Sequence, residues 1–310
     1  MALLERDYRL KGRRSLARAQ EAIGHLRPTF GERRAADVTA ADMPVFEERR
    51  RLEGAAPATI QYEFRILRRM LNLARKQGRI REVPVFELPR IRNARQGFLT
   101  VPQVQALLEH LPAHLKPVIE FAHFTGWRVR SEVLPLRWEW VDLAAGEVRL
   151  PPGVTKNDEP RVFPCAQAGA LDALLHQQAA ARDALEARTG VAPPWVFHHR
   201  GRRIRTFYKA WRTACVAAGL AGRLMHDLRR SAVRNLVNAG VPEPTAMKLT
   251  GHKTREVFDR YNIVSPAETA AAVTRLAAFI ECHKTGTTGP AGSASAPASG
   301  LTKLPDELKL

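Results

Sequence analysis

Between Met225 and Val264 the chain reads MHDLRRSAVRNLVNAGVPEPTAMKLTGHKTREVFDRYNIV, and no single helix can carry that run. Pro242 and Pro244 follow Gly240, and Gly251 interrupts again before His252. Proline removes a backbone donor and clashes with the preceding turn, while glycine closes helices in the left-handed conformation. The stretch must therefore fold as short helices, expected at about 227–239, 244–249 and 255–261. His226 and Arg229 stand at i and i+3 and share a helix face. His252 and Tyr261 cannot share one continuous face, so the four side chains meet only if several short helices pack around one point.

An imidazole, a guanidinium and a phenol side by side suit attack on a phosphodiester. That chemistry needs a deprotonated nucleophile, neutralised non-bridging oxygens and a protonated leaving oxygen. Arginine forks match two phosphate oxygens and stay charged. Arg229 is one candidate; a second lies in Thr125-Gly-Trp-Arg-Val-Arg-Ser-Glu132, where a glycine turn presents Arg128 and Arg130 is its rival. Lys156 falls near the tip of a hairpin expected from strands 148–150 and 161–163, a suitable place for a proton donor.

The rest of the sequence fits a polyanionic partner. Lys and Arg number 49 against 31 Asp and Glu, a formal charge of +18, which points most economically to nucleic acid. The 310 residues are enough for two cores. No apolar run approaches the ~20 residues that span a bilayer, and charge from Glu5 onward interrupts any signal-peptide core. Cys165, Cys215 and Cys282 are scattered and lack CxxC spacing, which suits a reducing cytoplasm and offers no metal framework. No metal or cofactor is expected, and no membrane partner.

In chain order, residues 1–82 read as helical and basic, with helices at about Leu3–Leu26 (ended by Pro28), from Thr39-Ala-Ala-Asp42 to Leu52, and 58–77. On the third helix Ile60, Phe64, Leu67 and Leu71 keep one face, leaving Arg65, Arg68 and Arg69 for phosphate contact. Residues 83–98 read as a basic linker in which Arg90, Arg92 and Arg95 track a DNA backbone. Thr100-Val-Pro-Gln103 opens a second domain over 99–283. Helices are expected there at about 102–111, 115–124, 131–136, 168–188, 207–218 and 266–281. Arg202, Arg203 and Arg205 in a basic loop are further DNA-contact candidates. Residues 284–310, rich in Gly, Ala, Ser, Thr and Pro, read as a disordered tail.

Taken together these pieces resemble the tyrosine recombinases of the phage integrase family. The resemblance rests on Thr125-Gly-Trp-Arg128 with Glu132 and Leu136-Arg-Trp138, then Thr155-Lys156, His226-Asp-Leu-Arg229, Leu249-Thr-Gly-His252 and Asp259-Arg-Tyr261, in the family's order. Ala55-Ala-Pro-Ala-Thr59 before a long helix is similar to the family's core-binding domain. The resemblance implies a mainly α fold with a small β-hairpin or sheet: a helical SAM-like core-binding domain followed by an α+β catalytic domain. It implies that Arg128 and Arg229 bind the scissile phosphate, Lys156 is the general acid and His226 a general base and acid. His252 would donate a hydrogen bond to phosphate, Tyr261 would be the nucleophile and Glu132 a supporting residue. The partners implied are double-stranded DNA, three further copies in a tetramer on two DNA sites, and accessory DNA-bending factors. A type IB topoisomerase-like relaxing enzyme and a catalytically inactive DNA-binding protein are the alternatives. One departure stands out: the family places the acidic residue three after the first Arg, whereas Glu132 lies four after Arg128. The extra residue is expected to be absorbed before the helix.

Overall fold

The computed structural model describes residues 1–89, 97–155, 158–259, 261 and 266–284. The chain divides into two compact units, Met1–Arg95 and Gln96–Leu310.

In the first unit α1 (Ala2–Leu10), α2 (Leu16–Phe30), α3 (Asp42–Leu52) and α4 (Pro57–Lys76) enclose one apolar core. Pro57 sits in the first turn of α4, where no N–H is needed. Ile60, Phe64, Leu67 and Leu71 recur on its inner face and are all buried, each contributing roughly 1.5–3 kcal/mol. Phe30, Phe46, Phe64 and Phe86 form a run of tilted rings 5.4–5.8 Å apart. Beside them the buried Arg50 donates to both oxygens of Glu63 at 2.9 and 2.8 Å, so neither charge is left unpaired.

Four expectations change in this unit. The first helix breaks at Gly12, whose φ is +56°, and Pro28 lies inside the last turn of α2. There proline forfeits one N–H while Leu26 and Phe30 on either side of it stay in the core. α3 starts at Asp42, and only half of the expected capping box forms: the Asp42 carboxylate accepts the Thr39 N–H at 2.7 Å, while Thr39 Oγ1 donates to that carboxylate at 3.1 Å instead of accepting a helix N–H. Residues 83–89, read as the start of a linker, pack instead: Phe86 is buried and Val83 and Leu88 lie against the same core. Of Arg65, Arg68 and Arg69 on α4, only Arg65 is exposed. Arg68 donates to the Phe86 carbonyl and Arg69 to Asp7 at 2.7 Å, so two of the three arginines assigned to DNA there are engaged within the unit. Arg90, Arg92 and Arg95 lie outside the described residues.

The second unit begins with α5 (Val101–Glu109), whose reciprocal cap forms as expected: the Gln103 N–H donates to Thr100 Oγ1 at 3.4 Å and the Thr100 N–H to Gln103 Oε1 at 3.0 Å. With α6 (Lys116–Thr125), α7 (Gly169–Thr189), α8 (Tyr208–Ala217) and α9 (Asp227–Asn238) it encloses a core in which Phe121, Trp127, Phe197 and Trp211 are fully buried. α10 (Glu243–Thr250), α11 (Arg255–Asp259) and α12 (Pro266–Lys284) follow. The expected hairpin is β2 (Glu147–Leu150) and β3 (Arg161–Pro164), joined by a third strand β1 (Val141–Asp142) in the antiparallel order β1-β2-β3. Phe163 on β3 meets Trp127 edge-on at 6.1 Å, which fixes the sheet against the helices.

The expected basic loop contains a small ladder, β4 (His198–His199) with β5 (Arg202–Arg203), turning through Arg200 and Gly201 at positive φ. α11 ends at Asp259, so Tyr261 sits in a turn beyond the helix expected to carry it. Lys156 and the tail beyond 284 lie outside the described residues. Among the described residues the fold is mainly α with two small antiparallel sheets, and no helix there is long and apolar enough to cross a membrane.

Candidate active site

α6 stops at Gly126, whose φ of +67° favours glycine. A Cβ there would lie 3.0 Å from Ala232 and 3.1 Å from Thr250, so α9 and α10 close directly on this turn. Their approach makes a socket for Arg229, which is 1 % exposed. Its Nη1 donates to the Gly126 carbonyl at 2.6 Å and the Thr250 carbonyl at 2.5 Å, and its Nη2 faces His252 Nε2 at 2.9 Å. Trp127 braces the same turn by donating from its indole to the Leu249 carbonyl at 3.0 Å.

Arg128 enters a turn wider than an α-helix. The Val133 N–H reaches back to the Arg128 carbonyl at 3.1 Å, and the Leu134 N–H to that of Val129 at 2.8 Å, both spanning five residues. Residues Val129–Val133 thus form one π turn, which holds one residue more than an α turn. It returns Glu132 to Arg128. Oε2 accepts the Arg128 backbone N–H at 2.8 Å and Oε1 its guanidinium at 2.6 Å. The extra residue is therefore absorbed inside the turn, not before it. Arg130 is exposed, whereas Arg128 points inward.

Glu132 has a further partner that the sequence reading missed. Arg161, 6 % exposed at its side chain, donates to Glu132 Oε2 at 3.3 Å. The signal was present in β3: alternation puts Arg161 on the same inward face as Phe163. Burial opposes ionisation of Glu132, but Arg161, the Arg128 N–H and the Arg128 and Arg229 guanidiniums outweigh it and hold the carboxyl below its ordinary range. Gly251 also depends on Arg161. Its φ is +71°, and a Cβ would lie 1.8 Å from the Arg161 Nη2. Gly251→Ala should cost about 2–4 kcal/mol in urea denaturation; a cost under about 0.5 kcal/mol would refute that packing.

His226 and Tyr261 come together from opposite ends of the segment. His226 Nε2 lies 2.8 Å from the Tyr261 hydroxyl, and the Arg230 guanidinium stands 5.6 Å from the phenol ring centroid. Desolvation by the surrounding protein, followed by Arg229, Arg230 and Arg128, pushes the His226 pKa down to about 4. Near neutral pH its ring is uncharged and can take a proton.

His252 is occupied differently from the expectation. Its Nδ1 lies 2.7 Å from Thr250 Oγ1, which spends its own proton on the Ala246 carbonyl at 2.7 Å. The network therefore assigns the ring hydrogen to Nδ1, leaving Nε2 to accept from Arg229. Without phosphate, His252 has no spare N–H and serves as the acceptor that orients Arg229. Burial, then Arg229, Arg128 and Arg161, push its pKa down to about 3. The unfolded chain thus protonates first as the pH falls. The stability His252 contributes is complete above about pH 6.5 and is lost toward pH 3, about 2 kcal/mol of it by pH 5. The urea midpoint should fall between pH 6.5 and 5, and fall less in His252→Gln; equal falls would absolve His252.

A cleft of about 500 Å³ opens beside these groups, with Arg128, Arg130, Arg205, His226 and Arg229 facing it between walls such as Leu134 and Phe207. Of the loop arginines, Arg205 thus reaches the site, while Arg202 and Arg203 are exposed on β5 and Arg203 stacks on Trp195 at 5.0 Å. Residues 97–268 match the phage integrase family. The chain belongs to the phage integrase family.

The matched stretch holds all the site residues from Arg128 to Tyr261. Among curated relatives, the integrase of Salmonella phage P22 is 26 % identical over 238 residues, 72 % of this chain and 57 % of that one. The tyrosine recombinase XerC of Roseiflexus castenholzii is 27 % identical over 73 % of this chain and 75 % of its own. The chain thus spans little more than half the length of the P22 integrase. The family fold is also seen in lambda integrase residues 75–356, a dimer bound to a COC′ core site, with a TM-score of 0.67 at 17 % identity over 84 % of this chain and 94 % of that one. The Tn1549 transposon integrase, in complex with transposon right end DNA, gives 0.67 at 18 % identity over 89 % and 98 %.

Proposed function

We propose that this integrase-family chain is a site-specific recombinase that cuts and rejoins duplex DNA through a phosphotyrosine at Tyr261. The observation that carries the reading is the Tyr261 hydroxyl held 2.8 Å from His226 Nε2 beside a charge cluster. In that cluster Arg128, Arg161 and Arg229 surround the single carboxylate of Glu132, an excess of two positive charges. A phosphodiester, with one negative charge, balances half of the excess. The pentacoordinate transition state, with two, balances all of it, so the site favours the transition state over the bound substrate.

In the reaction proposed, the Tyr261 oxygen attacks phosphorus as its proton passes to His226 Nε2. The bond from phosphorus to the 5′ oxygen breaks, and that oxygen takes a proton from Lys156, the role the family resemblance gives it. Thr155 and Glu159, bonded to one another at 2.9 and 3.1 Å, flank Lys156, and Glu159 pairs with Lys253, the neighbour of His252, at 2.9 Å. The described flanks of Lys156 are thus tied to the segment of His252, which supports the role given to that lysine. The products are a 3′-phosphotyrosine and a free 5′-hydroxyl. A 5′-hydroxyl from a partner strand reverses the steps, and because the broken bond's energy is kept in the phosphotyrosine no nucleotide is required.

The partners proposed are duplex DNA, contacted by exposed arginines such as Arg65, Arg202 and Arg205, and further copies of the chain, acting in the cytoplasm. Val273, Leu276, Phe279 and Ile280 on α12 are 42–61 % exposed, which suits docking on a neighbouring copy. Lambda integrase, solved as a tetramer bound to a Holliday junction, supports four protomers on two sites. The test is a library of nicked duplexes in which the released strand end diffuses away. Wild type should form a detergent-stable protein–DNA adduct, and paired intact sites should yield recombinants. DNA binding without any adduct would refute the reaction; adducts without recombinants would leave only relaxation.

A further inference from the structure

Arg161 joins three segments of the second unit. β3 carries it from the hairpin of Lys156, its Nη1 reaches Glu132 at 3.3 Å, and its guanidinium carbon lies 5.6 Å from the Trp127 ring centroid. Its planar head rests against the Gly251 backbone, immediately before His252. Resting on the strand-breaking reading, we propose that Arg161 is a positioning residue that neutralises Glu132, so that the Arg128 guanidinium can be shared with the scissile phosphate.

Glu132 is fully buried, and the arginines around it hold its carboxyl in the ionised form. If Arg128 were its sole counter-charge, the two would form a closed pair, and a phosphate could engage Arg128 only by leaving the carboxylate unpaired. The second cation removes that conflict. Arg161 is held away from the cleft and does not line it, whereas Arg128 does, so the two arginines divide the work. Arg161 balances the carboxylate, and Arg128 stays oriented by Glu132 while its remaining donors face the cleft. Arg161 leads the groups that favour ionised Glu132, in accord with this division. Arg128 and Arg229 oppose the charge on Arg161, and Glu159 supports it.

The measurement is orthovanadate binding to the full chain, read by calorimetry and paired with adduct formation on the nicked duplex. Arg161→Met should weaken orthovanadate about tenfold or more and slow adduct formation about a hundredfold, with duplex affinity changed less than about twofold. Removing the carboxylate's charge as well, in Arg161→Met with Glu132→Gln, should restore orthovanadate binding to within about fivefold of wild type. A brace without an electrostatic role gives no such rescue, and a double variant binding no better than Arg161→Met overturns the proposal. Where the methionine variant does not fold, Arg161→Lys decides. Keeping the charge, it should bind within about threefold of wild type, and a loss beyond tenfold overturns the proposal. Orthovanadate binding requires no cleavage, so it judges Arg161 even if the wild type makes no adduct, an outcome that counts against the reaction alone.

Discussion

Tyr261→Phe should abolish covalent adducts on nicked duplex, a loss of at least ~10⁴-fold, while duplex affinity stays within about twofold of wild type. The ring contacts with His252 at 4.9 Å and Arg230 at 5.6 Å do not involve the hydroxyl, so phenylalanine keeps them. What disappears is the oxygen facing His226 at 2.8 Å, and with it the proposed nucleophile. On the proposed function, affinity for the duplex comes from phosphate neutralisation spread over many cationic side chains. The other tyrosines are placed for different work: Tyr8 is buried in the first unit, Tyr62 packs against the same core, and Tyr208 is exposed on α8. Adducts that persist in Tyr261→Phe would take the role away from Tyr261 and leave the His226 contact without a chemical purpose.

Arg128→Ala carries the second large effect. Its adduct rate should fall about 10³-fold, because a charged donor aimed at developing negative charge is lost, while Arg161 and Arg229 still act on Glu132. Arg130→Ala should stay within about threefold, since that side chain lies on the exposed side of the π turn. Rates measured with saturating nicked duplex separate the two from any change in binding. The opposite ranking would transfer the phosphate-binding role to Arg130, which also faces the cleft.

The helices of the second unit were legible because their signals are local. Thr100 and Gln103 cap α5 as their spacing requires, and Gly126, Gly190 and Gly251 end helices in the left-handed conformation. The approach of His226 to Tyr261 was legible because the prolines and glycines between them force the chain to turn back. Arg161 was not singled out, because its place depends on Glu132, 29 residues earlier, and on Gly251, far later. The occupation of Arg68 and Arg69 was hidden for the same reason: their partners Phe86 and Asp7 are remote in sequence, and an arginine that braces a core reads the same as one that meets solvent. Propensity likewise misjudged Pro28, because burial of Leu26 and Phe30 outweighs one missing backbone donor.

The π turn at Val129–Val133 bears on how such a site can change over generations. Inserting a residue into an ordinary helix rotates everything beyond it by about 100° and would swing Val133, Leu134 and Leu136 out of the core where all three are buried. Here the added residue bulges within one turn, the register downstream is kept, and Glu132 still meets Arg128. A single codon gained or lost between the arginine and the carboxylate can therefore be taken up in that one turn, with the ion pair kept and the core residues beyond it unmoved.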